Sequence, residues 1–179
     1  MADSDGRAFI RLAESAEGVA AGLYSFRDSL PRNAARITAV VGELFAISST
    51  LRGIDATQTD RRYQPSFYRI ENDIGLACVS LQYTLDAVAG MFGRSRELDR
   101  QMVWDDLQHR MERVEGLGLL ERLECYKDFL KALLEVVTGC QPQGLRELKR
   151  EIVTLLDAQE VTRLQFQGRR QTLADASMY

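Results

Sequence analysis

The sequence predicts an all-α protein, a bundle of about six amphipathic helices around a charge-poor central helix at about residues 66–92. Apolar residues recur at three- and four-residue intervals along most of the chain, which is the spacing of a single helix face. Only three prolines, at positions 31, 65 and 142, interrupt these stretches. No alternating pattern typical of a strand extends beyond a few residues.

The first two helices are predicted at about residues 8–29 and 31–52. The first carries an apolar stripe from Phe9 to Phe26, and the second carries one from Ala34 to Leu51. Pro31 stands between them, and proline is favoured in the first turn of a helix. So short a connection predicts an antiparallel helical hairpin.

The longest loop is predicted at residues 53–65, which are polar and aperiodic. Ser66 is then expected to cap the third helix, which runs to about Phe92 and ends at Gly93.

Three further helices are predicted at about residues 95–115, 119–138 and 145–164. Dense charge coats the fourth helix, and its stripe is expected to contain Leu98, Met102, Leu107, Met111 and Val114. Gly139 is expected to end the fifth helix. The chain from 165 to 179 is polar and predicted to fray, so the single domain is expected to span residues 1–164.

The most apolar segment, residues 74–93, carries one formal charge, Asp86, and reaches the length of a membrane span. Its Ser80, Gln82 and Thr84 are unfavourable in lipid. A helix that is apolar on most of its surface is typical of the centre of a soluble bundle. We therefore predict a core helix, with exposure to lipid as the alternative.

Charge and cysteine content indicate a cytoplasmic protein without a nucleic-acid partner. The 26 acidic and 23 basic residues are interleaved, which is typical of solvent-facing helices rather than of a basic binding surface. Three cysteines without a CxxC pair favour a reducing compartment. Asp3 and Asp5 replace the basic start of a secretory signal.

The strongest metal-like pattern is Asp105, His109 and Glu112, whose spacing places two carboxylates and an imidazole on one helix face. A di-metal bundle needs Glu-x-x-His motifs on two helices, and His109 is the only histidine in the chain. We therefore predict surface ion pairs here, with a metal site as the alternative.

Nucleophilic catalysis is not predicted, because Cys78, Cys125 or Cys140 would each need the same His109 as its base. No glycine-rich phosphate-binding motif occurs in the sequence. The sequence thus predicts a non-enzymatic protein without a cofactor.

Two groups of residues are candidates for protein contacts. Val40 and Ile47 lie beside the main stripe of the second helix and are expected to dock a partner helix. The segment around residue 65 combines basic and aromatic side chains, which predicts helix packing or, alternatively, a small anion or peptide site. Its candidate residues are Arg61, Arg62, Tyr63 and Tyr68.

Two strings carry a family resemblance: LYSFRDSLPRNAARITAVVGELFAISSTLRGID, residues 23–55, and GLGLLERLECYKDFLKALLEVVTG, residues 116–139. They resemble the HeLo-like and SesA-like N-terminal helical domains of fungal proteins, which stand ahead of NACHT or other STAND nucleotide-binding modules. The resemblance implies a helical bundle that acts as a signalling, adaptor or cell-death effector domain. No such module follows in this sequence, as expected of an excised domain or a stand-alone protein.

We therefore expect a non-enzymatic helical interaction domain that binds a protein partner or itself. A membrane-active HeLo-like effector is the alternative. The N-terminus is less apolar than in membrane-permeabilising HeLo domains, which favours the first expectation.

Overall fold

The all-α prediction is confirmed. A computed structural model describes the backbone of residues 7–176 and the side chains of residues 7–165 and 167, and this part of the chain contains no strand. Its six α-helices are α1 (Ala8–Arg27), α2 (Ala34–Thr59), α3 (Gln64–Arg94), α4 (Arg100–His109), α5 (Leu119–Val137) and α6 (Leu145–Ala176). A 3-10 turn, Pro31–Asn33, leads into α2, and a π-helical turn, Arg110–Val114, continues α4.

Helix α3 is central, because it packs against each of the other five helices. Helices α1 and α2 form the predicted hairpin, in which Glu17 of α1 reaches Arg52 of α2. Helix α5 packs on α2, where Lys127 pairs with Glu43, and α6 closes the bundle against α3 and α5. The short α4 covers the end of the bundle at which α3 finishes.

One apolar core runs through all six helices. Its largest buried side chains include Trp104 of α4 and Phe129 of α5, each at most 1% exposed. Full burial of such a side chain contributes about 1.5–3 kcal/mol, so the core supplies the main force that holds the helices together.

The predicted loop at 53–65 is mostly helix, since α2 continues to Thr59. Ile54 is fully buried and extends the apolar stripe of Ile47 and Leu51 by one turn. This additional turn lies within the predicted loop. Gly53 lets α5 approach, because a Cβ there would lie 3.3 Å from a methyl group of Leu134. Core contacts therefore outweigh the helix-weakening effect of this glycine.

The predicted stripe of the fourth helix is wrong at three positions. Leu98, Met102 and Val114 are 51%, 62% and 57% exposed. The side chain of Asp99 accepts a hydrogen bond from the backbone N–H of Met102 at 3.1 Å and so fixes the start of α4. The buried face consists instead of Val103, Trp104, Leu107, Gln108 and Met111.

The sixth helix does not end at residue 164, because α6 continues to Ala176. Residues 165–176 contain no proline, and seven of the twelve are glutamine, arginine or alanine, which favour helix. Of the predicted polar tail, residues 177–179 lie outside the described residues.

Candidate functional site

The solvent-facing side of the α1–α2 hairpin carries no charge over several turns. On α2, the exposed residues between positions 35 and 49 are Ala35, Thr38, Ala39, Gly42, Phe45 and Ser49. Solvent-facing helix surfaces are normally rich in charge, so an uncharged one is unusual. The charged residues in this stretch point elsewhere: Arg36 pairs with Glu112, and Glu43 pairs with Lys127 of α5.

Helix α1 extends this uncharged surface. Its exposed residues from position 18 to position 25 are Gly18, Ala21, Tyr24 and Ser25. Glu17 accepts hydrogen bonds from Ser48 and Arg52, and in an antiparallel hairpin this register brings Tyr24 to the level of residues 41–45. The rings of Tyr24 and Phe45 are 55% and 52% exposed. We call the ten exposed residues named on α1 and α2 the hairpin face.

The docking role predicted for Val40 and Ile47 is wrong. Both side chains lie in the core, 1% and 0% exposed. Helix α2 has uncharged residues on both its buried and its exposed sides, so periodicity alone does not show which side meets solvent. The exposed candidate on this helix is Phe45.

Of the four candidate residues around position 65, one packs against the core, one forms an ion pair and two are exposed to solvent. Arg62 binds Asp60 through its guanidinium, with a shortest N–O distance of 2.6 Å, and these hydrogen bonds lower the pKa of Asp60. Tyr63 packs against the core, with the Arg62 guanidinium 5.5 Å from its ring centroid. Arg61 and Tyr68 are exposed, and Tyr68 is the more open of the two tyrosines at 70%.

The three metal candidates, Asp105, His109 and Glu112, are exposed on α4 and the π-helical turn. Asp105 accepts a hydrogen bond from Gln101 at 2.8 Å, and Glu112 pairs with Arg36 of α2 at 2.7 Å. Among the described residues, no cluster of three or more metal-ligating side chains is found.

Two of the three thiols are held in their protonated form. Burial raises the pKa of Cys78 to about 12, and burial together with a hydrogen bond to Glu151 raises the pKa of Cys125 to about 12. At pH 8 such a thiol is ionised in about one molecule in ten thousand. Cys140, in the loop before α6, is exposed.

We therefore expect one of the three thiols to react rapidly with iodoacetamide in the folded protein at pH 8. Mass spectrometry of the labelled peptides should place the label on Cys140. In denaturant, where the two raised pKa values return to normal, all three should react. Rapid labelling of Cys78 or Cys125 in the folded protein would contradict the burial described here.

Inside the bundle, four side chains of α3, α5 and α6 close a ring of hydrogen bonds. The Tyr126 hydroxyl lies 2.8 Å from Ser80 Oγ, which donates to Gln159 Oε1 at 2.6 Å. Gln159 Nε2 donates to Thr84 Oγ1 at 2.9 Å, and Thr84 Oγ1 lies 2.9 Å from the Tyr126 hydroxyl. Each hydroxyl can thus donate once and accept once around the ring. All four residues are buried, and burial raises the pKa of Tyr126.

A buried ion pair holds the start of α5 to the π-helical turn. Arg122 is 1% exposed and pairs with Glu115 at 2.6 Å. Its Nε donates to the Leu117 carbonyl at 2.7 Å, and its Nη2 donates to the Met111 carbonyl at 2.9 Å. The guanidinium therefore satisfies backbone carbonyls that the turn leaves unpaired.

Comparison of the chain with family models, curated proteins and solved structures finds no match. The residues and their geometry therefore carry the functional assignment. Sequence reading missed the hairpin face, although one signal was present: between residues 37 and 51 the only charged side chain is Glu43.

Proposed function

We propose that this protein is a non-enzymatic helical interaction domain that self-associates through the hairpin face. The observation that carries the proposal is that face itself, with Tyr24 and Phe45 half exposed among small uncharged residues. Exposed aromatic side chains surrounded by small residues are typical of surfaces that another helix covers. The resemblance of residues 23–55 to fungal HeLo-like and SesA-like domains favours a cytoplasmic signalling or adaptor role.

A second copy of the chain is the occupant that this surface suits. In a two-fold contact the same patch meets itself, so any charge on it faces a like charge. The ten residues of the hairpin face carry no charge. The Arg27 guanidinium lies over the Tyr24 ring, 4.3 Å from its centroid, and it pairs with Asp28 at 3.4 Å, so like-charge repulsion across a two-fold contact is small. Gly42 lies one turn before Phe45 and Ala39 nearly two turns before it, and such small residues let helices approach closely.

Replacing Phe45 with glutamate is expected to weaken self-association by about 30-fold or more. The substitution removes an aromatic contact and places two like charges across the two-fold axis. Phe45 is 52% exposed and glutamate favours helix, so the fold itself should be retained. Sedimentation equilibrium over a range of protein concentrations measures the change.

Val161→Glu is the matched control, because Val161 is 55% exposed on α6, which packs against α3 and α5. It introduces the same charge and should leave self-association unchanged. A wild-type protein that remains monomeric at the highest concentrations would refute self-association. Equal losses in the two variants would show that net charge, rather than the hairpin face, governs it.

The second candidate function is a membrane-active effector domain. Two helical stretches, Pro31–Thr59 and Gln64–Arg94, are long and apolar enough to cross a membrane, and 44% of the tested window of each is buried. A transition that opens the bundle would bring them to lipid. Dye leakage from vesicles with and without anionic lipid tests this function, and an absence of leakage from both would eliminate it.

A further inference from the structure

A cavity of about 320 Å³ opens on the side of the bundle formed by α3, the π-helical turn, α5 and α6. This volume is at the small end of the range for ligand sites. The polar and charged residues around it are Tyr83, Asp86, Arg110, Glu115, Arg122, Gln159, Thr162 and Arg163. We call this cavity the arginine pocket.

The three arginines of the pocket differ in how their donors are used. Arg122 donates one hydrogen bond to Glu115 and one to each of two backbone carbonyls. Arg163 lies over the ring of Tyr83, with its guanidinium carbon 4.0 Å from the ring centroid. The Nε–H of Arg110 is buried and finds no acceptor among the described residues. A buried N–H without an acceptor is costly, so this group is available to donate a hydrogen bond to a ligand oxygen.

The charge balance of the pocket favours an anion. Arg122 and Glu115 neutralise one another, which leaves Arg110 and Arg163 against the single carboxylate of Asp86. Asp86 accepts a hydrogen bond from Gln82 at 2.7 Å, and it forms no ion pair with either arginine in the described part of the chain. Among the described residues, these two guanidinium groups thus have no carboxylate partner inside a concave site.

The position of Arg110 is fixed by its surroundings. It begins the π-helical turn, a conformation that recurs at functional sites. Arg122 holds the next residue, Met111, through its carbonyl oxygen. The side chain of Arg163 is held by its stacking on the ring of Tyr83. A site whose charged groups are held before binding loses less conformational entropy when the ligand enters.

We infer that the arginine pocket binds a small molecule that carries a carboxylate or phosphate group, and that Arg110 and Arg163 are the residues that bind this group. The planar guanidinium fork of arginine matches the oxygens of both groups. The buried Nε–H of Arg110 gains its acceptor from the oxyanion. Asp86 lies in the same pocket and opposes the binding of a second negative group.

Calorimetric titration with citrate and with inorganic phosphate tests this inference and distinguishes the two oxyanions. Chloride at matched ionic strength is the reference. We expect saturable binding of at least one probe by the wild-type protein. Arg110→Met should weaken that binding by about 10- to 100-fold, because it removes a charge-assisted hydrogen bond. Asp86→Asn should strengthen it, because it removes the opposing charge.

Arg113→Met is the matched control, since Arg113 is an exposed arginine of the same π-helical turn that does not line the pocket. It should bind the probes as the wild-type protein does. The Arg110 Nε–H resonance, followed by NMR in the wild-type protein, should shift downfield with the same saturation curve. An Nε–H signal that does not respond, or an equal loss in Arg113→Met and Arg110→Met, would overturn the inference.

Discussion

Replacing Arg122 with methionine is expected to lower the free energy of unfolding by about 3–5 kcal/mol. The guanidinium is 1% exposed, and its loss leaves the carboxylate of Glu115 without a counter-ion at 9% exposure. It also leaves the carbonyl oxygens of Met111 and Leu117 without their donors. Globular domains are stable by only about 5–15 kcal/mol, so this one change removes a large share of the total.

Urea unfolding of the variant measures this loss, and Arg52→Met provides the comparison. Arg52 also pairs with a glutamate, Glu17, but its side chain is 43% exposed. Exposed pairs of this kind contribute little to stability, because solvent screens them. We expect hydrogen exchange to accelerate first at the amides between Met111 and Leu119. Equal losses for Arg122→Met and Arg52→Met would show that burial of the ion pair does not set its contribution.

The number and order of the helices, but not the ends of α2 and α6, follow from local pattern, because each helix needs an apolar face with a period near 3.6 residues. The orientation of those faces follows only in part. Helix α2 is uncharged on two sides, so its pattern predicts an exposed position for Val40 and Ile47, which in fact belong to the core. On α4, Met102 is exposed, and its neighbours Val103 and Trp104 are buried instead.

The interior polar contacts could not be predicted from the sequence. Ser80 and Thr84 stand out as polar residues in an apolar helix, but their partners Tyr126 and Gln159 lie on helices far along the chain. Such partners depend on how α3, α5 and α6 are packed, which periodicity does not encode. The arginine pocket was missed for the same reason, since it draws on four separate elements.

The two proposed surfaces are independent of one another. The hairpin face belongs to α1 and α2, whereas the arginine pocket belongs to α3, the π-helical turn, α5 and α6. No residue is shared between them. A variant of one surface can therefore serve as a folded control for the other: Phe45→Glu should retain oxyanion binding, and Arg110→Met should retain self-association.

Replacing Tyr126 with phenylalanine is expected to lower the free energy of unfolding by about 1–3 kcal/mol. The ring of Tyr126 is kept, so the change removes only the hydroxyl that Ser80 and Thr84 contact. Both residues lose a partner at a site where neither is accessible to water. For a chain of this size, each kcal/mol corresponds to a fall of about 2–4 °C in the melting temperature.

Tyr68→Phe removes the same group from a tyrosine that is 70% exposed, and it should leave the melting temperature unchanged. Thr84→Val combined with Tyr126→Phe should cost less than the sum of the two single changes, because both remove the same hydrogen bond. Strictly additive losses would mean that the two hydroxyls do not interact. The ring would then act as four separate polar groups, and its closure would not explain why a helix as apolar as α3 keeps Ser80 and Thr84.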